Sequence, residues 1–286
     1  MEATRVRRSR AVRTALGAAR SEITRAILGP GLPLCAIIMA YSLLQPMWEF
    51  MQGGPNPDFL YSIFQIFELS IEQGAMRPAK YVAYACVYAT AFAQDREHCF
   101  DRALLMRSGR GAYEFAKIAA TWVSAGLAVA LGLALTIGIL LAKGFPMVDW
   151  RLSALKELYI SGACLLAEGR LLEQWLLIWF SYAVSAATMA TCALAVSAYT
   201  DNRFVILLAP LVFYYPFSFL TNYVLPLDDW LKTPYSFYVS LDYLGGGVTP
   251  FRNPQEALKY LLGLHVPLIL TFCIAFIAGA NRRLRR

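Results

Sequence analysis

The chain is expected to be an all-α integral membrane protein: six transmembrane helices preceded by an N-terminal amphipathic elbow helix, with both termini cytoplasmic. The first ground is composition, because 286 residues that are 58% hydrophobic and only 16% charged, at a mean hydropathy of +0.49, do not fold around one soluble core of ordinary proportions. The second is the set of six apolar windows near residues 32–51, 79–97, 116–142, 174–199, 204–225 and 257–279. Each approaches or exceeds the roughly 20 residues that a helix needs to cross about 30 Å of hydrocarbon. An even number of spans puts both ends on one side. The third is charge: residues 1–29, the 94–117 segment, the 200–203 turn with Asp201 and Arg203, and the tail Arg282, Arg283, Arg285 and Arg286 hold 17 of the 26 Lys and Arg residues with seven acids, leaving nine bases and twelve acids elsewhere. The positive-inside rule places that first set in the cytoplasm. The net charge of +7 then reads as topology and contact with anionic membrane lipid, not as nucleic-acid binding.

Residues 1–29 make the elbow. Val12, Leu16, Ala19, Ile23 and Ile27 share one helical arc while Arg10, Arg13, Ser21 and Arg25 share another, the pattern of a helix lying along the inner leaflet. Gly29-Pro30-Gly31 and Pro33 then break it, so that the chain turns into span one. The long basic leader, with no A-x-A pattern after the first apolar run, argues against a cleaved signal peptide. Span one closes on Glu49 and the loop Gly53-Gly54-Pro55-Asn56-Pro57; Glu49 either lines a pathway or is solvated at the headgroups. Residues 58–73 and 150–168 read as interfacial or folded outer segments.

Between spans two and three the run 94–117, QDREHCFDRALLMRSGRGAYEFAK, carries five basic and four acidic residues. Charges at mid-bilayer cost about 2.5 to 3.5 kcal/mol each on insertion scales, so this stretch is expected in water, as a place for a partner to bind. Span three repeats small residues at Gly126, Ala130, Ala134 and Gly138, the spacing of a close helix-packing face, and span four does so at Ala183, Ala187, Thr191 and Ala195. Only Thr200-Asp201-Asn202-Arg203 separates spans four and five, which makes them an antiparallel hairpin. Span five holds Pro210 and Pro216 among Phe213, Tyr214, Tyr215, Phe217 and Phe219, which fits either a bent helix beside a cavity or an outer aromatic belt. After an outer segment at 226–256, Asn253-Pro254-Gln255-Glu256 starts span six with a capping residue, a proline suited to the first turn and a glutamate reaching back. His265, two residues before Pro267, can relay protons, bind substrate or hydrogen-bond a neighbouring helix. With Glu49, Tyr214 and Tyr215 it makes up the candidate pathway lining.

The six cysteines have no CxxC spacing and read as small buried hydrophobes. No phosphate-cradling G-x-x-x-x-G-K-[ST] loop, no G-x-S-x-G elbow and no H-E-x-x-H is present, and neither His98 nor His265 has a ligand companion at i+4. No catalytic residue, metal site or cofactor is therefore assigned to this chain.

The elbow, the six spans and above all the insert resemble the permease subunit of a type-2 ABC (ABC-2) exporter. The matching residues are Phe92, Asp95-Arg96-Glu97, Asp101-Arg102, Leu104-Leu105, Arg107-Ser108-Gly109 and Tyr113 through Lys117. That resemblance implies a coupling helix docking on a separate ABC ATPase subunit, which would carry the ATP and magnesium. It also implies a second permease copy or a homologous permease as dimer partner, and residence in the plasma membrane, here the cytoplasmic membrane of a bacterium. Phe100, Leu104 and Leu105 would anchor the contact; Asp95, Arg96, Glu97, Asp101, Arg102 and Arg107 would set its register; Gly109 would permit the turn back. A longer outer loop at 144–172 departs from that pattern, and the substrate stays open. Two other classes remain: a noncatalytic membrane partner such as an immunity or sensor protein, and a membrane-embedded enzyme.

Overall fold

The computed structural model describes residues 2–45, 48, 63, 77–147, 168–219 and 254–283, and these are helical apart from turns and short connections. In chain order the helices are α1 (Glu2–Leu28), α2 (Gly31–Leu44), α3 (Arg77–Tyr88), α4 (Ala91–Glu97), α5 (Phe100–Ser108), α6 (Arg110–Ala142), α7 (Leu171–Ser197), α8 (Arg203–Phe219) and α9 (Pro254–Arg283). Among them α6, α7 and the 261–283 part of α9 are long and apolar enough to cross a membrane, and α1 with α2 passes the same test as a pair bent by 54°. The outer segments expected at 58–73, 150–168 and 226–256, and Glu49, lie outside the described residues except for Ile63, Glu168 and residues 254–256.

The bend between α1 and α2 falls at Gly29-Pro30, where the sequence calls for a break. Gly31 is required there for a second reason: a Cβ on it would sit 2.3 Å from the Cys86 carbonyl oxygen and 2.8 Å from that of Val87. The start of α2 thus rides directly on the α3 backbone. Helix α1 packs along α6, but its phase differs from the expected one. Ala19, Glu22 and Ala26 face the bundle, while Leu16 (61% exposed) and Leu28 (80%) face outward. Small residues three before and four after Glu22 allow the close approach, and the larger apolar ones are left for lipid.

Span three begins earlier than expected, because α6 takes in the last eight residues of the 94–117 run. Gly109, at φ +79°, both ends α5 and precedes α6, a backbone state that suits glycine. The stripe Gly126, Ala130, Ala134 and Gly138 is not where α6 packs most closely. Ala134 and Gly138 are exposed and a Cβ on Gly138 would meet nothing within 4 Å. The close contact is at Gly132, where a Cβ would come within 3.0 Å of the Met39 Cβ and 3.1 Å of the Ala36 carbonyl oxygen. The buried face runs through Lys117, Thr121, Ser124, Ala128, Gly132 and Thr136.

Helices α7 and α8 form the expected hairpin, and Asn202 caps the second of them, its Oδ1 accepting from the Phe204 amide at 3.0 Å. Pro210 and Pro216 lie inside α8, and α9 begins at Pro254. Gly279 lets α9 close on the end of α7, since a Cβ there would meet Ala198 at 2.8 Å and Tyr199 at 2.9 Å.

Candidate functional site

The charged run at 94–117 divides into a buried half and a more exposed half. Asp95 and Lys117 are both 0% exposed, and they meet Glu22 and Arg25 of the elbow helix. The Lys117 Nζ donates to Asp95 Oδ2 at 2.6 Å, to Glu22 Oε2 at 2.7 Å and to the Tyr88 hydroxyl at 3.3 Å. That uses all three ammonium protons. Asp95 also accepts from the Arg25 Nη1 at 2.5 Å and the Tyr113 hydroxyl at 2.9 Å, and Tyr88 donates to Glu22. Two acids and two bases leave the junction neutral, which is the condition under which buried charges persist. It joins four elements: α1, α3, α4 and α6.

Burial works to raise the Asp95 carboxyl, but Lys117 first and Arg25 second outweigh it and hold the group below the usual carboxylate range. Arg25 is the counterpart: desolvation works to lower it, and its hydrogen bond and charge contact with Asp95 raise it overall. The expectation that every charge of the run is bathed in water is therefore overturned for Asp95, Glu114 and Lys117, which are buried and paired, Glu114 to Arg110 at 3.2 Å.

The more exposed half follows at once. Arg96 pairs with Asp201 at 2.8 Å, Arg283 with the same carboxylate at 3.1 Å, and Glu97 with Arg203. The hydrogen bond from Arg203 draws the Glu97 carboxyl below its ordinary range. These ties bring α4, the α7–α8 turn and the C-terminal end of α9 to one end of the bundle, the three places that share the cytoplasmic side in the sequence reading.

Helix α5 hangs between these two halves. Leu104 and Leu105 turn inward onto Phe92, Tyr113, Leu194 and Phe276, while Phe100 (57% exposed) and Met106 (84%) project away from the protein. His98 stacks beside Phe100 at 6.0 Å between ring centres. Of the residues expected to meet a partner, Phe100, Glu97 and Gly109 are at the surface, Arg96 is half-buried and Asp95 is enclosed, a correction to its expected role. Asp101, Arg102 and Arg107 lie on α5, their side chains outside the described set. Cys99, just before α5, is exposed and takes a left-handed φ of +56°.

The candidate pathway residues are not brought together. Tyr215 is 53% exposed on the outside of α8, and Tyr214 packs on Tyr81 at 4.6 Å between ring centres. His265 is fully buried, its Nδ1 2.8 Å from the Thr188 hydroxyl. The same hydroxyl lies 2.8 Å from the Val184 carbonyl oxygen, and the imidazole Nε2 is buried without a hydrogen-bond partner among the described residues. His265 thus ties α9 to α7. The residues that sequence reasoning missed are Glu22, Arg25 and Tyr88; for Glu22 a signal existed in its flanking Ala19 and Ala26. Comparison with family models, curated proteins and solved structures gives no match.

Proposed function

We propose that this chain is the membrane-spanning permease subunit of an ATP-driven exporter, working with a separate ABC ATPase subunit and with a second permease copy or homologue in the plasma membrane. The observation that carries the reading is α5: a short helix between membrane spans that turns Phe100 and Met106 outward where water is expected, while Leu104 and Leu105 pack behind it on Phe92, Tyr113 and Phe276. Exposed apolar side chains on a polar segment mark a protein contact. A push on α5 would pass through Gly109 into α6 and through Asp95 and Lys117 into the elbow helix, so a docked motor would move two membrane elements together. The ATP and magnesium belong to the partner.

A pull-down of the full chain from detergent tests this. An ABC ATPase is expected in the bound fraction, reduced about tenfold by Phe100→Asp or Met106→Asp, the loss of one buried apolar anchor. Charge reversal at Asp101 or Arg102 is expected to uncouple ATP turnover from transport. Recovery of another membrane protein with no ATPase would instead support a noncatalytic partner.

A further inference from the structure

Helices α4 and α5 are parted at Cys99, and nothing in the local sequence asks for the break. Residues 91–108 hold neither glycine nor proline and are rich in Ala, Leu, Met, Glu, Gln and Arg, which favour one continuous helix. The break rests on a single residue. Cys99 takes φ +56° and ψ +22°, a left-handed state that is unfavourable for any residue with a side chain and suits glycine. It is the one non-glycine residue at positive φ among those described. No side chain caps the first amides of α5 to offset that strain.

Tertiary contacts hold the two pieces apart. On one side Asp95 sits in the buried junction while Arg96 and Glu97 bond Asp201 and Arg203, which fixes α4. On the other, Leu104 and Leu105 fold back onto Phe92, Tyr113 and Phe276. In a joined helix Glu97 and Asp101 would stand one turn apart as like charges, which also favours the broken form. Local preference and packing thus oppose each other at one residue, the condition for a second arrangement of the same segment.

We propose that residues 91–108 switch between this broken form and one continuous helix in which Cys99 is right-handed and α5 is carried over as a rigid piece. Geometry says what must open. In the joined helix about 20 Å separate Asp95 from Ser108 along the axis, so Tyr113 keeps its place beside Asp95 only where residues 109–112 uncoil. Gly109 and Gly111 stand there, and a Cβ on either meets nothing within 4 Å. The hydrogen bond from the Tyr113 amide to the Gly109 carbonyl oxygen, 3.1 Å in the broken form, is then lost. Leu104 and Leu105 leave the Phe92 cluster for water, so the broken form predominates at rest. Because Phe100 and Met106 travel with α5, the switch sets whether their face lies against the end of the bundle or on an arm projecting from it. It is a property of this chain alone and stands whichever partner docks.

Amide hydrogen exchange of the purified full chain, read by mass spectrometry, tests this, since an amide protected only in the broken form exchanges in proportion to the joined fraction. Cys99→Gly relieves the left-handed state and weakens the joined helix, so exchange over residues 112–114 is expected to slow about tenfold. Cys99→Ala strengthens the joined helix and is expected to speed the same exchange about twofold. Amides of residues 124–136 in α6 should be alike in all three chains. Rates over 112–114 that ignore residue 99, or that fall in the alanine variant, overturn the proposal. Exchange of residues 104–108 in step with 112–114 overturns it too, because α5 would then melt in place instead of swinging as a helix. Should the alanine variant not fold, the native chain against Cys99→Gly decides: slower exchange in the glycine variant supports the switch, and equal exchange removes it.

Discussion

Asp95, Arg96 and Glu97 are consecutive, yet they belong to two different ionic systems. Asp95 enters the enclosed junction with Lys117, Glu22 and Arg25, while Arg96 and Glu97 reach Asp201 and Arg203 in water. Helical geometry makes this possible, since successive side chains leave the axis about 100° apart. The same kind of bond therefore does different work at adjacent positions. In the junction, removing one partner strands an uncompensated charge away from water; in the outer layer it returns a charge to solvent.

The sharpest way to break this contrast is Lys117→Met, which leaves Asp95 and Glu22 facing each other's side of the junction with only Arg25 to balance them. The expected loss is about 3–5 kcal/mol, read as a lowered unfolding midpoint in detergent; a loss no larger than that of an exposed pair would erase the distinction. Acid is the next lever. Because the folded Asp95 holds its proton less tightly than the unfolded one, the stability it contributes is complete above the ordinary carboxylate pKa of about 4 and is lost as pH falls through the lower folded value. The midpoint of the native chain should be level in this respect from pH 8 to pH 5 and fall below about pH 4, and Asp95→Asn should remove that acid-side component. The smallest effect is expected for Asp201→Asn, which frees Arg96 and Arg283: under about 1 kcal/mol, vanishing in concentrated salt, whereas the Lys117 variant should be nearly insensitive to salt.

Much of the backbone plan is written locally. Gly29-Pro30 places the elbow, Thr200 to Arg203 is too short for anything but a hairpin, Gly109 marks the reversal into α6, and Pro254 opens α9. Each of these is decided by residues next to one another. The junction is not, because Lys117 and Glu22 lie 95 positions apart and Arg25 and Asp95 lie 70 apart. Weighing each charge singly, as hydropathy does, sends Lys117 and Asp95 into water; their mutual neutralisation appears only when the helices are assembled. The packing stripe of α6 fails for a different reason. Small residues occupy more than one arc of that helix, and the buried arc is the one that carries Lys117, Thr121, Ser124 and Thr136 with Gly132, whereas Gly126, Ala130, Ala134 and Gly138 lie off it. Reading the hydroxyls together with the glycines would have found the right arc. The pathway expectation likewise rested on residue type, and His265 is buried against the Thr188 hydroxyl.

Cys99 offers a reporter already present in the chain. It is the exposed one of the five cysteines among the described residues, while Cys35 and Cys192 are buried. A thiol reagent unable to cross the bilayer would tag it from whichever compartment bathes the reversal before α5. In a Cys164→Ser background, modification of sealed inside-out vesicles, with intact cells left blank, would give the chain an absolute sidedness.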